Sequence, residues 1–295
     1  MTMTKNSARA SYQQLGIDIS TQVSQVLAED LGIDWPSSID INRDITAMLI
    51  SADKQAQASI IAREPGILCG QAWVDEVFAQ VGNCQLTWHY QDGEAFSANS
   101  RLLSIKGGAR QILTGERSAL NFLQTLSATA TLTAKYVSYL DGSKTRLLDT
   151  RKTIPGLRAA QKYAVQCGGG LNHRLGLFDA FLIKENHVRA CGGIGPAIAQ
   201  AKTIAPQAKV EVEVENLQEL QEAIDGGADT IMLDNFSPKL VEQAVALNAQ
   251  RTKLEVSGNI TFESLQTLAK TGVDYISSGA LTKNIAALDL SLLFD

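Results

Sequence analysis

Hydrophobic positions along the chain follow two regimes that change near residue 128. Before it, apolar residues recur at helical spacing over 19–31 and 72–81, and they gather as short strands over 59–62, 85–90 and 101–106. Helices and strands without a repeating unit predict an α+β sandwich domain over residues 1–128. Helical spacing resumes at Thr114, a residue type suited to an N-cap, and sets Ala119, Phe122, Leu123 and Leu126 on one face.

Beyond about Gly142 the pattern becomes periodic. Short apolar runs at 146–149, 180–183, 210–214, 230–233, 253–256 and 274–276 alternate with helical spacing over 196–204, 217–224, 238–247 and 262–268. Such alternation predicts βαβ units and a parallel sheet. Each run ends in polar residues: Asp149-Thr150-Arg151-Lys152, Lys184-Glu185-Asn186-His187, Glu213 to Glu215, Asp234-Asn235, Ser257-Gly258-Asn259 and Ser277-Ser278-Gly279-Ala280. Strand ends that all carry chemistry are expected where they ring one mouth, as in a TIM-type barrel, whereas an open sheet concentrates them at one switch point. Six or seven strands make this an incomplete TIM-like α/β barrel over 129–282. The tail 283–295 is free to return to the first domain.

Composition narrows the function. Across 295 residues the apolar fraction is 45%, the charged fraction 19% and the net charge −5, so any basic cluster is local and a broad nucleic-acid surface is not expected. Residues 1–14 lack the apolar run of a signal peptide, and no segment approaches the roughly 18 apolar residues of a membrane span, so a soluble, cytoplasmic protein is expected. Cys69, Cys84, Cys167 and Cys191 form no C-x-x-C pair and read as small core or loop residues. His89, His173 and His187 have no H-x-x-x-H spacing, so any metal should be a hard ion held by carboxylates.

The densest chemistry lies at Arg151, Lys152, His173 and Arg174. A strand ends in cations, a Pro-Gly turn follows, and the glycine run 168–170 brings up a second cationic pair. Arginine's planar fork suits carboxylate or phosphate while lysine acts as a mobile point charge, so the set is suited to several acidic groups. In Val210-Glu211-Val212-Glu213-Val214-Glu215 the valines share one strand face and the glutamates the other. A solvated acidic edge is the plain reading; within a βα series whose outer face is covered by helices, the glutamates should point inward and need cationic partners or a metal. Glu213 with Asp234 on the next strand is a candidate Mg²⁺ anchor. Ser257-Gly258-Asn259 and Ser278-Gly279-Ala280 follow the last two strands, precede helices and match the usual phosphate site of the fold. No Walker loop or dinucleotide fingerprint is present.

Together these stretches resemble the quinolinate phosphoribosyltransferases. The resemblance is carried by Ala62-Arg63-Glu64-Pro65-Gly66-Ile67-Leu68-Cys69-Gly70, Gly115-Glu116-Arg117-Ser118-Ala119-Leu120-Asn121-Phe122-Leu123, Asp149-Thr150-Arg151-Lys152-Thr153, Gly169-Gly170-Leu171-Asn172-His173-Arg174 and Lys184-Glu185-Asn186-His187. It continues through Val212-Glu213-Val214-Glu215, Met232-Leu233-Asp234-Asn235-Phe236 and the two Ser-Gly turns, in the family's order. It implies Mg²⁺-dependent condensation of quinolinate with phosphoribosyl pyrophosphate, giving nicotinate mononucleotide, pyrophosphate and CO₂, with no organic cofactor. It implies a homodimer in which Arg117 reaches the neighbouring subunit's site, while Thr150, Arg151, His173, Arg174 and Lys184 surround quinolinate. Lys152, Glu213 and Asp234 would serve phosphoribosyl pyrophosphate and Mg²⁺, with Ser257, Gly258, Asn259, Ser278, Gly279 and Ala280 around phosphate. Two alternatives stand beside it. A non-decarboxylating enzyme acting on nicotinate or another base would need fewer cations, and a silent phosphoribosyl pyrophosphate sensor could dispense with Glu213 and Asp234.

Overall fold

The computed structural model describes residues 12, 14–82 and 84–295, so most of the segment 1–14, where no signal peptide was expected, lies outside the described residues. The chain forms two compact units. One gathers the residues up to Leu132 with Ala159–Gly169 and Asn284–Asp295; the other takes Thr133–Arg158 and Gly170–Lys283.

In the first unit, helix α1 (Ile19–Leu31) starts where Asp18 accepts a hydrogen bond from the Thr21 amide and stops at Gly32, whose φ of 61° suits a residue without Cβ. Its buried Val23, Leu27 and Leu31 pack toward helix α2 (Gln71–Gly82), which buries Trp73, Val77 and Phe78. Trp73 also donates its indole N–H to Gln22 Oε1 at 2.9 Å, so a large core side chain keeps its one donor satisfied. Strands β1 (Gln55–Ala62), β3 (Gln85–Trp88) and β5 (Arg101–Gly108) form an antiparallel sheet completed by the C-terminal strand Leu290–Phe294, which lies along β1 with Ala62 opposite Leu290. The short strands β2 (Gly66–Ile67) and β4 (Ala95–Phe96) pair separately.

Helix α3 (Ala109–Ser138) corrects the expected start at Thr114. It leaves directly from the Gly107-Gly108 end of β5, so Thr114 is an interior helical residue rather than an N-cap; it is buried and its hydroxyl donates to Asp44 Oδ2 at 3.0 Å. The expected apolar face is present, with Ala119, Phe122, Leu123 and Leu126 all buried. Helix α4 (Arg158–Cys167) has no counterpart in the sequence reading. It buries Ala160, Gln161, Lys162, Tyr163, Ala164 and Val165 in succession, so it lacks the one-sided stripe that marks a surface helix.

The second unit is a parallel sheet of β6 (Arg146–Leu148), β7 (Ala180–Ile183), β8 (Lys209–Val214), β9 (Thr230–Asp234), β10 (Lys253–Ser257) and β11 (Tyr275–Ser277), ordered β6-β11-β10-β9-β8-β7. The last strand therefore returns to lie beside the first, leaving one opening between β6 and β7. Leu171 occupies the open edge of β6: its amide donates to Leu147 O at 2.8 Å and its carbonyl accepts from the Asp149 amide at 3.1 Å. This is the incomplete α/β barrel that the strand rhythm predicts. Helices α5 (Glu185–Cys191), α6 (Ile194–Ile204), α7 (Leu217–Gly226), α8 (Pro238–Asn248), α9 (Phe262–Ala269) and α10 (Ala280–Lys283) follow the successive strands. Val210, Val212 and Val214 of β8 are buried, and the alternate glutamates point to the other face.

Candidate active site

The strand ends of the second unit enclose a cavity of about 530 Å³. Of the residues expected from sequence, Thr150, Arg151, Lys152, His173, Arg174, Lys184, Glu213, Asp234 and Ser257 line it; Leu182, Met232, Glu255 and Ser277 complete the wall. Gly258, Asn259, Ser278, Gly279 and Ala280 shape the backbone at the rim without lining the cavity. Arg117 belongs to the first unit and is exposed on α3.

Asp149, fully buried at the end of β6, organises the cationic side. Its Oδ1 accepts the His173 amide at 2.9 Å and its Oδ2 accepts Asn172 Nδ2 at 2.6 Å, fixing the segment that carries His173 and Arg174 beside the strand that leads to Arg151. Arg174 donates to the Ala180 carbonyl at 3.3 Å. Burial, and then the nearby Arg151 guanidinium, lower its pKa. Among the described residues, the buried Nε donors of both Arg151 and Arg174 have no hydrogen-bond partner. Two unsatisfied guanidinium donors on one wall are the mark of a site built for an anion.

The acidic side answers them. Lys184 Nζ contacts the Glu213 carboxylate, and the Lys184 amide donates to His187 Nδ1 at 3.0 Å, so His187 fixes the start of α5 and does not enter the cavity. Asp234 accepts Asn235 Nδ2 at 2.9 Å. Deeper in the barrel, His173 Nε2 lies 2.7 Å from Glu211 and 3.7 Å from Glu255. Burial pushes the Glu255 carboxyl up to about 8, helped by the charge of Glu211 and opposed by His173.

The rim breaks local backbone rules. Asn235 and Asn259 adopt φ of 56° and 45°, and Gly258 adopts 102°. A Cβ at Gly258 would strike Asn235 Oδ1, and one at Gly279 would sit 2.8 Å from Lys152 Cδ, so both glycines make room for neighbours of the cavity. Helix α9 begins after Thr261, whose hydroxyl accepts the Ser264 amide at 3.3 Å, in step with the helical spacing expected from 262; Ser257-Gly258-Asn259 precedes it as a loop with left-handed backbone at Gly258 and Asn259.

Sequence reasoning named Asp149 and Ser277 among the polar strand ends and Glu211 among the inward glutamates without giving them a role in the site, and it passed over Glu255. The signal for Glu255 was available, because strand alternation puts it on the face of Ser257.

The family description "Quinolinate phosphoribosyl transferase, N-terminal domain" matches residues 44–127, and "Quinolinate phosphoribosyl transferase, C-terminal domain" matches 129–293. The chain is 42% identical over 251 residues to a probable carboxylating nicotinate-nucleotide pyrophosphorylase of Bacillus subtilis, covering 84% of this chain and 87% of that protein. It is 38% identical over 277 residues to the carboxylating nicotinate-nucleotide pyrophosphorylase of Mycobacterium leprae, covering 92% and 95%. The solved structure of the Francisella tularensis nicotinate-nucleotide pyrophosphorylase superposes with a TM-score of 0.88 at 51% identity, over 94% of this chain and 96% of that one. A parallel barrel whose mouth sets paired guanidinium groups against paired carboxylates agrees with these likenesses, and the chain belongs to the quinolinate phosphoribosyltransferase family.

Proposed function

We propose that this chain transfers the phosphoribosyl group of phosphoribosyl pyrophosphate to quinolinate, releasing pyrophosphate and CO₂ and forming nicotinate mononucleotide, a step of NAD biosynthesis. The observation that carries the reading is the pair of unsatisfied buried Nε donors on Arg151 and Arg174, two residues that line the same cavity as Lys152, Lys184, Glu213 and Asp234. Quinolinate is a dianion, and Arg151, His173, Arg174 and Lys184, with Thr150 at the edge, supply the cationic wall it requires. Lys152, Glu213 and Asp234 receive phosphoribosyl pyrophosphate, with Ser257, Gly258, Asn259, Ser278, Gly279 and Ala280 bounding its phosphates. As the ring nitrogen attacks C1 of the ribose and pyrophosphate leaves, positive charge develops on the sugar, and Glu213 and Asp234 are placed to balance it. Loss of CO₂ then leaves an electron pair on C2 of the ring, stabilised by the adjacent quaternised nitrogen, and a proton from solvent adds to C2 to complete nicotinate mononucleotide.

Glu213 and Asp234 present the hard carboxylate oxygens that Mg²⁺ prefers, and one Glu213 oxygen is shared with Lys184. The ion, when bound, would neutralise charge on the pyrophosphate. A homodimer completes the reading: Arg117 is exposed on the side of α3 away from Ala119, Phe122, Leu123 and Leu126, as a residue reaching into a second copy must be. Among the described residues no helix is long and apolar enough to cross a membrane.

Incubating the protein with quinolinate, phosphoribosyl pyrophosphate and Mg²⁺ should release CO₂ and nicotinate mononucleotide in equal amounts, and a chelator should stop the reaction. Turnover of nicotinate without turnover of quinolinate would refute the assignment.

A further inference from the structure

Beneath the cationic wall, His173, Glu211 and Glu255 bring ligand atoms within 4.8 Å of one another. All three side chains are nearly inaccessible, and neither Glu255 oxygen has a hydrogen-bond partner meeting ordinary geometry. Two ionised carboxylates enclosed around one imidazole would leave an excess negative charge in the barrel, which burial strongly disfavours. A single proton on one acid removes it. His173 Nε2, 2.7 Å from Glu211 and farther from Glu255, identifies Glu211 as the partner of the ring. We propose that Glu255 is a further positioning residue of this site, held as the uncharged acid so that Glu211 pairs with His173 and the ring faces quinolinate without a second competing anion. The inference rests on the quinolinate reading above and deepens it.

The surroundings of Glu255 agree. On β8 it meets Glu211, on β9 the uncharged Met232 is its register partner, on β11 Tyr275 is its register partner and Ser277 stands beside it, and from the loop after Leu171 comes His173. The charged Arg151, Lys152, Arg174, Lys184, Glu213 and Asp234 line the cavity with it. Burial first, and Glu211 second, raise the carboxyl from 4.5 to about 8. A group whose folded pKa exceeds its unfolded value contributes stability that is fully present below the lower value and is lost as pH rises through the higher one, here between 4.5 and about 8.

The test uses Glu255→Gln, which keeps the shape of the uncharged acid. Its melting temperature relative to the natural chain should rise with pH, by at least about 5 °C between pH 5 and pH 8. In the natural chain the quinolinate dissociation constant should increase roughly tenfold as Glu255 ionises above pH 8, because a unit charge then stands near a dianion, and Glu255→Gln should lose that alkaline limb. The KM for phosphoribosyl pyrophosphate should not share the limb. Should Glu255→Gln fail to fold, Glu255→Met carries the same two readings. A melting difference flat with pH, or an alkaline limb kept in the variant, overturns the proposal. A melting difference that rises as stated in a protein that binds no quinolinate at any pH upholds the protonated acid and overturns the substrate reading instead.

Discussion

Replacing Asp149 with alanine tests how the cationic wall is assembled. The carboxylate is fully buried and accepts at least two hydrogen bonds, from the His173 amide at 2.9 Å and from Asn172 Nδ2 at 2.6 Å. Alanine leaves both donors facing a void. A donor deprived of a charged partner costs about 1.5–3 kcal/mol, less where water reaches it, so the pair should cost about 2–5 kcal/mol. At roughly 2–4 °C per kcal/mol for a chain of this size, the transition that reports the barrel should fall by about 5–15 °C. The segment freed is the one that carries His173 and Arg174, so quinolinate KM should rise at least about tenfold in molecules still folded at the assay temperature, as expected when roughly 1.4 kcal/mol of binding is lost. Calorimetric melts combined with initial rates at varied quinolinate read both quantities. A melt within 2 °C of the natural chain together with an unchanged KM would refute the clamp, whatever happened to turnover (the threshold is roughly the effect of half a kcal/mol).

Three further outcomes follow from the same geometry. Arg151→Ala and Arg174→Ala should each weaken quinolinate about 10–150-fold, the equivalent of about 1.5–3 kcal/mol for a charge-assisted contact, and titration of quinolinate into either variant checks this. Glu213→Gln and Asp234→Asn should depress turnover while leaving the melting temperature near that of the natural chain; low melts with full turnover would make these acids structural. Arg117→Ala and Arg151→Ala should each be nearly inactive alone and regain activity when mixed under subunit exchange, because one of the two sites in the mixed dimer holds both arginines; exchange confirmed by mass without recovery would remove Arg117 from the partner's site.

Legibility in the sequence depended on whether an element has two distinguishable faces. The barrel strands were readable because β8 alternates valine with glutamate and because every strand ends in polar residues at one mouth. Helix α4 was not readable, since burial on nearly all sides erases the helical stripe, and Gln161 and Lys162 sit in its buried run as if they were surface residues. Thr114 misled for a related reason. A threonine before an apolar run is a good N-cap, but a strand ending in Gly107-Gly108 can pass directly into a helix, and then the threonine finds its partner in Asp44, distant in sequence. Cys69 and Cys167 showed no spacing of interest, yet the first unit folds them together with Asp92, whose buried carboxyl is pushed up to about 6 against hydrogen bonds from Tyr163 and the Gln71 and Gly70 amides. Proximity of that kind arises from topology and leaves no local trace.

Several departures from ordinary folding rules lie at the barrel mouth, beside others elsewhere such as the left-handed Ala249 and Gln250. Two asparagines take left-handed backbone angles there, two arginine Nε donors stay unsatisfied, and an acid is buried against another acid. Each costs stability on its own, and none is repaired within the second unit by the neighbours that complete its walls. At the opposite ends of the strands polar groups pair: the Thr145 hydroxyl donates to Val273 O at 2.8 Å, and Asp274 accepts both Lys253 Nζ and the Leu254 amide. The unsatisfied arginine donors and the carboxylates that line this one cavity are groups that a dianion and a pyrophosphate ester can partner, so part of the local cost is one that substrate binding would offset.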